Sequence, residues 1–272
     1  MRSPDMFLTT SRGRLAYRMD GAGEGLTLLL TPRFRGSMDD WDPEFIGKLG
    51  ARRAVIRFDS AGIGLSEGET PDNAAEMADI ALAFVDALGL ADFDLLGWSM
   101  GGFVAQNLAL DNPARVRRLI VAASSPGAIT GRSPANLRVA EVTAKDVNDR
   151  EDLAHLFFPD TAASRAAGLA SLARIEAASA TPAMRKEAVT AQAKAIAAWT
   201  AGAGAARPRL GWLTAPTLVA GGAADILMPA YGAFVLSQEA PNAKLVLYPN
   251  AGHGFLFQYI DAFTREVNDF LG

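Results

Sequence analysis

Three residues of this chain could together turn a hydroxyl on a carbonyl: a serine on a glycine corner, a histidine between two glycines, and an aspartate just after an apolar run. The serine is Ser99, in Gly97-Trp98-Ser99-Met100-Gly101, between the apolar run "FDLLGW" and the helix-like run "GGFVAQNLAL". This G-x-S-x-G spacing suits a sharp strand-to-helix turn, because side chains at Gly97 and Gly101 would collide with neighbouring backbone. Such a turn lifts the hydroxyl above a sheet and sets it at a helix N-terminus, where free N–H groups favour developing negative charge. The competing account is a glycine turn with an incidental serine, but both flanks supply the context that the motif demands.

A serine is a weak nucleophile until a base takes its proton. The chain has two histidines. His253 lies in "YPNAGHGF", a loop opened by Gly252 and Gly254 after the last strand-like run, where a base could reach the serine. His155 lies in "DLAHLFFP", within a helix-rich stretch, and is expected to pack or to line a pocket. An imidazole base needs an acid to hold its tautomer and stabilise its protonated form. Asp225, in "VAGGAADILMP", follows the run 216–221 and precedes Pro229, which is expected to open a helix. Its other reading is a helix-start residue, a place aspartate favours. No acid directly follows the run 118–123, so Asp225 has no equally placed competitor.

The elements that must position these residues show in the apolar pattern. "MFLTTS" and "RLAYRM" flank a turn at Gly13 and read as a hairpin. Short, continuously apolar runs follow at 26–30, 53–58, 93–98, 118–123, 216–221 and 244–249, as expected of strands buried on both faces of a mostly parallel sheet. Helical spacing in "AAEMADIALAFVDALGL", "GGFVAQNLAL" and "PAYGAFVLSQEA" alternates with them, so an α/β architecture with helices on both faces is predicted. From Gly127 to Arg207 no strand-like run occurs and alanine is abundant, which reads as a helical lid. The turn-rich stretches "SSPGAITGRSP" and "AGAGAARP" bound it and would permit hinge motion. The basic cluster "PARVRR" at 113–118 reads as a solvated helix end.

Composition narrows the function classes. Of 272 residues 50% are apolar and 21% charged, the balance of a soluble globular protein with one large domain. A net charge of -4 carries no nucleic-acid or membrane-surface footprint. No cysteine is present, which excludes disulfides, a thiolate nucleophile and Cys-based metal sites. The first residues, "MRSPDMFLTT", have no secretory apolar segment and no run approaches bilayer length, so a cytoplasmic location is expected.

On these motifs the chain resembles the α/β-hydrolase-fold superfamily over essentially its whole length, in the branch of serine esterases and cofactor-independent haloperoxidases. The stretch "RFDSAGIGLSEG" (57–68) is similar to that family's D-x-x-G-x-G-x-S, with Asp59 and Ser66 expected to fix the loop. The Ser99, Asp225, His253 order is the family's Ser…Asp…His order. The resemblance implies an α/β core from 1–126 and 208–272 with a helical cap at 127–207. It also implies an oxyanion hole made by two backbone N–H groups, one of them that of Met100. The other lies in the family's His-Gly-x after the strand equivalent to 26–30. Pro32 and Arg33 occupy the His-Gly positions here, which leaves Phe34 as donor. Haloalkane dehalogenases and epoxide hydrolases of this fold carry Asp at the nucleophile position, and Ser99 argues against both.

The expected reaction is hydrolysis of a carboxylic ester of an apolar small molecule through a Ser-His-Asp triad and an acyl-enzyme, without cofactor. A lactonase, a C–C bond hydrolase, a perhydrolase and a non-hydrolytic ligand-binding protein on the same fold stay open. Arg33, Trp98, Phe157, Trp199, Leu227 and Phe255 are expected to line the substrate pocket, with several aromatic positions equally able to be core. Arg33 and Arg35 either bind an anionic substrate group or pair with Asp39, Asp40 or Asp42 of their own loop, and pairing is the expectation. Those acids could suggest a metal, but Asp42-Pro43 reads as an N-cap followed by proline at N1. Two histidines and no cysteine argue against a catalytic metal.

Overall fold

The short apolar runs become strands because a run with no polar alternation can only be satisfied with both faces covered. The structure, a computed structural model, describes residues 3–129 and 137–272. In chain order its elements are β1 (Met6–Thr10), β2 (Gly13–Glu24), β3 (Leu28–Thr31), α1 (Pro43–Gly50), β4 (Arg53–Phe58), α2 (Ala74–Ala87), β5 (Phe93–Trp98) and α3 (Met100–Asp111). Next come β6 (Val116–Ala122), α4 (Leu137–Thr143), α5 (Arg150–Phe157), α6 (Ala162–Ala178), α7 (Lys186–Ala201) and a 3-10 turn (Arg207–Trp212). The chain closes with β7 (Thr217–Gly222), α8 (Ala230–Glu239), β8 (Ala243–Tyr248), α9 (Phe255–Gln258) and α10 (Ile260–Leu271).

The strands form one eight-stranded sheet in the order β1-β2-β4-β3-β5-β6-β7-β8. The β1–β2 hairpin joins β4 antiparallel, and every later pairing is parallel. All residues of β3, β5 and β7 are buried. One core layer packs α2, α3 and α8 on the sheet through Phe84, Phe103 and Leu236. The opposite layer holds α1 and α10 through Phe45, Phe263 and Leu271. Strand order reverses around β3, so the loops leaving the C-terminal ends of β3, β5, β7 and β8 share one rim, where open α/β sheets place their crevice.

Between β6 and β7 the described residues form four helices and no strand. Part of the turn-rich stretch that opens this segment, 130–134, lies outside the described residues. Its two ends are tied together: the Arg207 N–H donates to Pro126 O at 3.0 Å and the Arg207 guanidinium to Ala128 O at 2.9 Å. Gly127 has φ +78°, and a Cβ there would lie 2.6 Å from Trp199 O, so this end is closely packed rather than slack. Asp42 caps α1 by accepting the Glu44 N–H at 2.8 Å, with Pro43 opening the helix.

The cluster at 113–118 departs from its expected form. Val116 begins β6, and the arginines beside it are anchors rather than a solvated helix end. Arg117 donates to the buried Asp94 and to Leu271 O, while Arg118 donates to Phe270 O. The pairing of β6 with β5 claims these residues for the sheet, and their long side chains then reach the end of α10. Among the described residues no helix is long and apolar enough to cross a membrane.

Candidate active site

Ser99 occupies the one-residue corner between β5 and α3, with φ 59° and ψ −120°. A non-glycine residue at positive φ is strained and persists only where its surroundings over-determine it. Here the glycines do so. A Cβ on Gly97 would lie 2.3 Å from Gly101 O, and one on Gly101 would lie 2.0 Å from Thr31 O. The corner is pinned by the Ser99 N–H, which donates to Ala122 O at 2.9 Å, and by the Thr31 hydroxyl, which donates to Gly101 O at 2.9 Å.

Asp225 and His253 arrive on the loops after β7 and β8. The Ala223 and Ala224 N–H groups donate to Tyr248 O and Ala251 O, both at 2.9 Å, and so hold the two loops side by side. Asp225 Oδ1 accepts the Leu227 and Met228 N–H groups at 2.8 and 2.9 Å. Its Oδ2 lies 2.8 Å from His253 Nδ1, with both side chains almost wholly buried. With the carboxylate ionised, Nδ1 carries the proton and Nε2 is left as the acceptor. The ring is fixed further by its own residue's carbonyl, which accepts the Trp98 Nε1–H at 3.1 Å.

Ser99 and His253 open on one cavity of about 50 Å³, lined also by Arg33, Phe34, Arg35, Thr143, Asn148, Leu153, Leu156, Phe157 and Leu227. The space is narrow and partly open, so a bound group there is slender. Among the described residues neither the Phe34 N–H nor the Met100 N–H has an acceptor, whereas their neighbours do: Gly36 N–H donates to Arg33 O, Arg35 N–H to Gln192 Oε1, and Gly102 N–H to Ser99 O.

Of the residues expected in the pocket, Arg33, Phe157 and Leu227 line the cavity. Trp98, Trp199 and Phe255 do not. Trp98 sits behind the imidazole, 5.9 Å from it between ring centres, and is itself buried. Trp199 stacks on Phe103 at 4.6 Å and donates to Ser125 O, on the α3 side of the sheet. Phe255 packs between Tyr248 and Phe263 at 5.2 and 5.0 Å. Each of these rings is large enough to fill core space between helix and sheet, and that is where burial places it. Sequence reasoning missed Leu153, Leu156, Thr143 and Asn148 as lining residues; Leu153, Leu156 and Phe157 lie on one face of α5, and their spacing was the available signal. His155, on the same helix, lies outside the cavity; burial lowers its pKa, and its Nε2 has no partner among the described residues.

The loop 32–42 is set by its acids. Arg33 pairs with Asp40 at 2.5 Å and also donates to Phe34 O. Arg35 does not pair within its loop, contrary to expectation: it turns at φ 55° and donates to Lys145 O at 2.8 Å and Asn148 Oδ1 at 3.1 Å. Asp39 is taken by Arg18 and by Thr181 and the Ala180 N–H, and Asp42 by Ser171 and Arg174 of α6. Burial works against ionisation of Asp39, but these donors and the Arg18 charge outweigh it and hold its carboxyl well below the usual range. Asp59 accepts the Met38 and Leu65 N–H groups at 2.7 and 3.0 Å and so fixes the loop, while burial pushes its pKa up to about 6. Ser66 donates to Asp59 O and accepts the Ala16 N–H. Among the described residues no cluster of three or more His, Asp or Glu could hold a metal.

Known proteins carry the same arrangement of elements. The chain is 30% identical to a candidate carbamate hydrolase, RutD, of Variovorax paradoxus (strain S110), over 94% of this chain and 96% of that one. It is 26% identical to a pimeloyl-[acyl-carrier protein] methyl ester esterase of Nitrosomonas europaea, over 92% and 97% of the two chains. An alpha/beta hydrolase fold protein from Chitinophaga pinensis superposes with a TM-score of 0.89 at 32% identity, covering 99% of this chain and 97% of that one. The family model for the alpha/beta hydrolase fold matches residues 27–258. With its eight-stranded sheet and the elbow at Ser99, the chain belongs to the α/β-hydrolase fold family.

Proposed function

We propose that this protein is a serine hydrolase of small carboxylic esters, with Ser99 as nucleophile, His253 as base and Asp225 as the acid that orients it. One observation carries the reading: His253, held by the buried Asp225 at 2.8 Å between Nδ1 and Oδ2, lines the same small cavity as the strained Ser99. The Ser99 hydroxyl adds to the ester carbonyl as its proton passes to His253 Nε2. The Phe34 and Met100 N–H groups, which have no acceptor among the described residues, receive the oxyanion. Collapse breaks the ester C–O bond, and His253 returns the proton to the departing alcohol. Water then attacks the acyl-enzyme with His253 as base, and the acid leaves with Ser99 restored. The helices α4–α7 serve as a cap that excludes water, with Leu153, Leu156 and Phe157 of α5 forming the apolar side of the cavity.

Two relatives are named for cleavage at a carbonyl bonded to a heteroatom, an ester esterase and a candidate carbamate hydrolase, which supports this reading, while a third is named a 2-hydroxymuconate semialdehyde hydrolase. Turnover of p-nitrophenyl acetate, of methyl esters and of a methyl carbamate tests the reaction class. Ser99→Ala is expected to lower kcat by about 10⁶ and to abolish fluorophosphonate labelling. A variant that keeps a rate near wild type, or still takes up the label, would overturn the assignment.

A further inference from the structure

We infer that Arg35 makes this site selective for ester substrates bearing a second, anionic group, a carboxylate a few bonds from the scissile carbonyl. The inference rests on the hydrolase reading above and names the substrate class for it.

Charge around the cavity that holds Ser99 and His253 carries the inference. No carboxylate lines the cavity that holds Ser99 and His253, whereas two guanidinium groups do. Arg33 is neutralised by Asp40. The other ionised groups nearby also have partners: Lys145 pairs with Asp152, Asp146 with Lys186, and Asp225 with His253. Among the described residues no acid lies within ion-pair distance of Arg35. Its fork instead meets neutral acceptors, Lys145 O, Asn148 Oδ1 and, at 3.5 Å, Thr143 O. Neutral acceptors aim a guanidinium but do not cancel its charge, so Arg35, half-buried at the rim of the cavity, keeps that charge for an anionic ligand. Burial accordingly lowers the Arg35 pKa, with the Asp146 charge opposing and Arg33 adding to the depression.

The backbone adds a second observation. Arg35 sits at φ 55°, a conformation that a glycine takes without strain. Its N–H is held by Gln192 Oε1 of α7 at 2.8 Å, so the turn that directs this side chain toward the cavity is fixed from the helical segment as well. An entering carboxylate would meet the planar fork that suits it, displacing the long Thr143 contact, while Phe34 and Leu227 flank the methylenes between the two carbonyl groups.

Monomethyl succinate and its neutral isostere, methyl 4-methylpentanoate, test this by acid release in a pH-stat. Wild type is expected to favour the anionic ester in kcat/KM by at least about tenfold, the scale of one charge-assisted hydrogen bond. Arg35→Gln is expected to lower that ratio about tenfold or more, mainly through KM, and Arg35→Lys to restore part of it. Equal loss on both esters, or a wild-type preference for the neutral one, would overturn the inference and leave Arg35 a fastener of the α4–α5 loop. Thermal unfolding of both variants identifies a loss that comes from folding. Calorimetric titration of monomethyl succinate into Ser99→Ala, with and without Arg35→Gln, gives a readout independent of turnover. Binding that Arg35→Gln abolishes sustains the inference even if neither ester is cleaved, an outcome that would strike only the hydrolase reading. Absence of binding with Arg35 intact would refute it.

Discussion

Asp225 divides its carboxylate between two tasks: Oδ1 takes the Leu227 and Met228 N–H groups, and Oδ2 faces His253 Nδ1. Asp225→Asn can keep the first set of bonds but presents either an amide N–H or an oxygen of weaker acceptance to the imidazole, so the tautomer that leaves Nε2 free is no longer enforced. The expected outcome is a fall in kcat of about 10⁴ with little change in thermal unfolding; a kcat within tenfold of wild type would remove Asp225 from the reaction. The candidates Ser99, His253 and Asp225 could be picked from the sequence because each is bound to a local pattern, and histidine is scarce besides. There are only two histidines, one serine stands between elbow glycines, and one acid follows the right strand. Arg35 was not legible in that way. Which acceptor an arginine meets is settled by the path of its loop, and here the turn at φ 55° parts Arg33, which finds Asp40, from Arg35, which finds α4–α5 carbonyls.

At the scale of elements, the acids before α1 illustrate how one short motif does two things. The Asp42-Pro43 pair announced an N-cap in the sequence, and Oδ1 performs it on the Glu44 N–H. The other oxygen accepts from Ser171 at 2.6 Å and Arg174 at 2.6 Å, which fastens α6 to the start of α1 across 129 and 132 residues of chain. That second task depends on a helix packed there from elsewhere, so no local pattern could signal it. Loss of a cap alone costs about 1 kcal/mol, and leaving the buried Ser171 hydroxyl without its acceptor costs about 1 kcal/mol more, while Arg174 is partly exposed and keeps Glu44. Asp42→Ala is therefore expected to destabilise by about 2 kcal/mol in urea unfolding; a loss near the cap value would mean that α6 is held by other contacts. The strand runs were read to within a few residues for the same reason that the caps were: continuous apolarity is local. The arginines of 113–118 were misread because β6 begins where its pairing with β5 begins, and pairing is not a local property.

The whole molecule is tied through one buried carboxylate. Asp39 accepts from Arg18 of β2, from Thr181 and from the Ala180 N–H after α6, while Arg18 also binds Asp5 ahead of β1. The N-terminal strands, the loop beside the candidate active site and the helical segment thus share a single charge cluster. Because the folded pKa of Asp39 is depressed below its ordinary 3.8, its ionised form is preferred in the fold. Its contribution is therefore complete above that ordinary value and is lost as pH falls from about 4 toward the folded pKa. Asp59 carries the opposite sign: burial raises it to about 6, so the fold is penalised as pH rises from about 4 to about 6 and is relieved on acidification. Acid instability below about pH 4 is accordingly assigned to Asp39 and not to Asp59. Asp39→Asn is expected to lose about 3 kcal/mol at pH 7 by leaving Arg18 without its buried partner, and the gap between variant and wild type should shrink as pH drops through 4 to 2.5. Urea unfolding midpoints measured at half-unit steps decide the matter. Two curves that stay parallel down to the lowest pH would show that the fold does not draw on ionisation of Asp39, and that the cluster joins its three segments by packing alone.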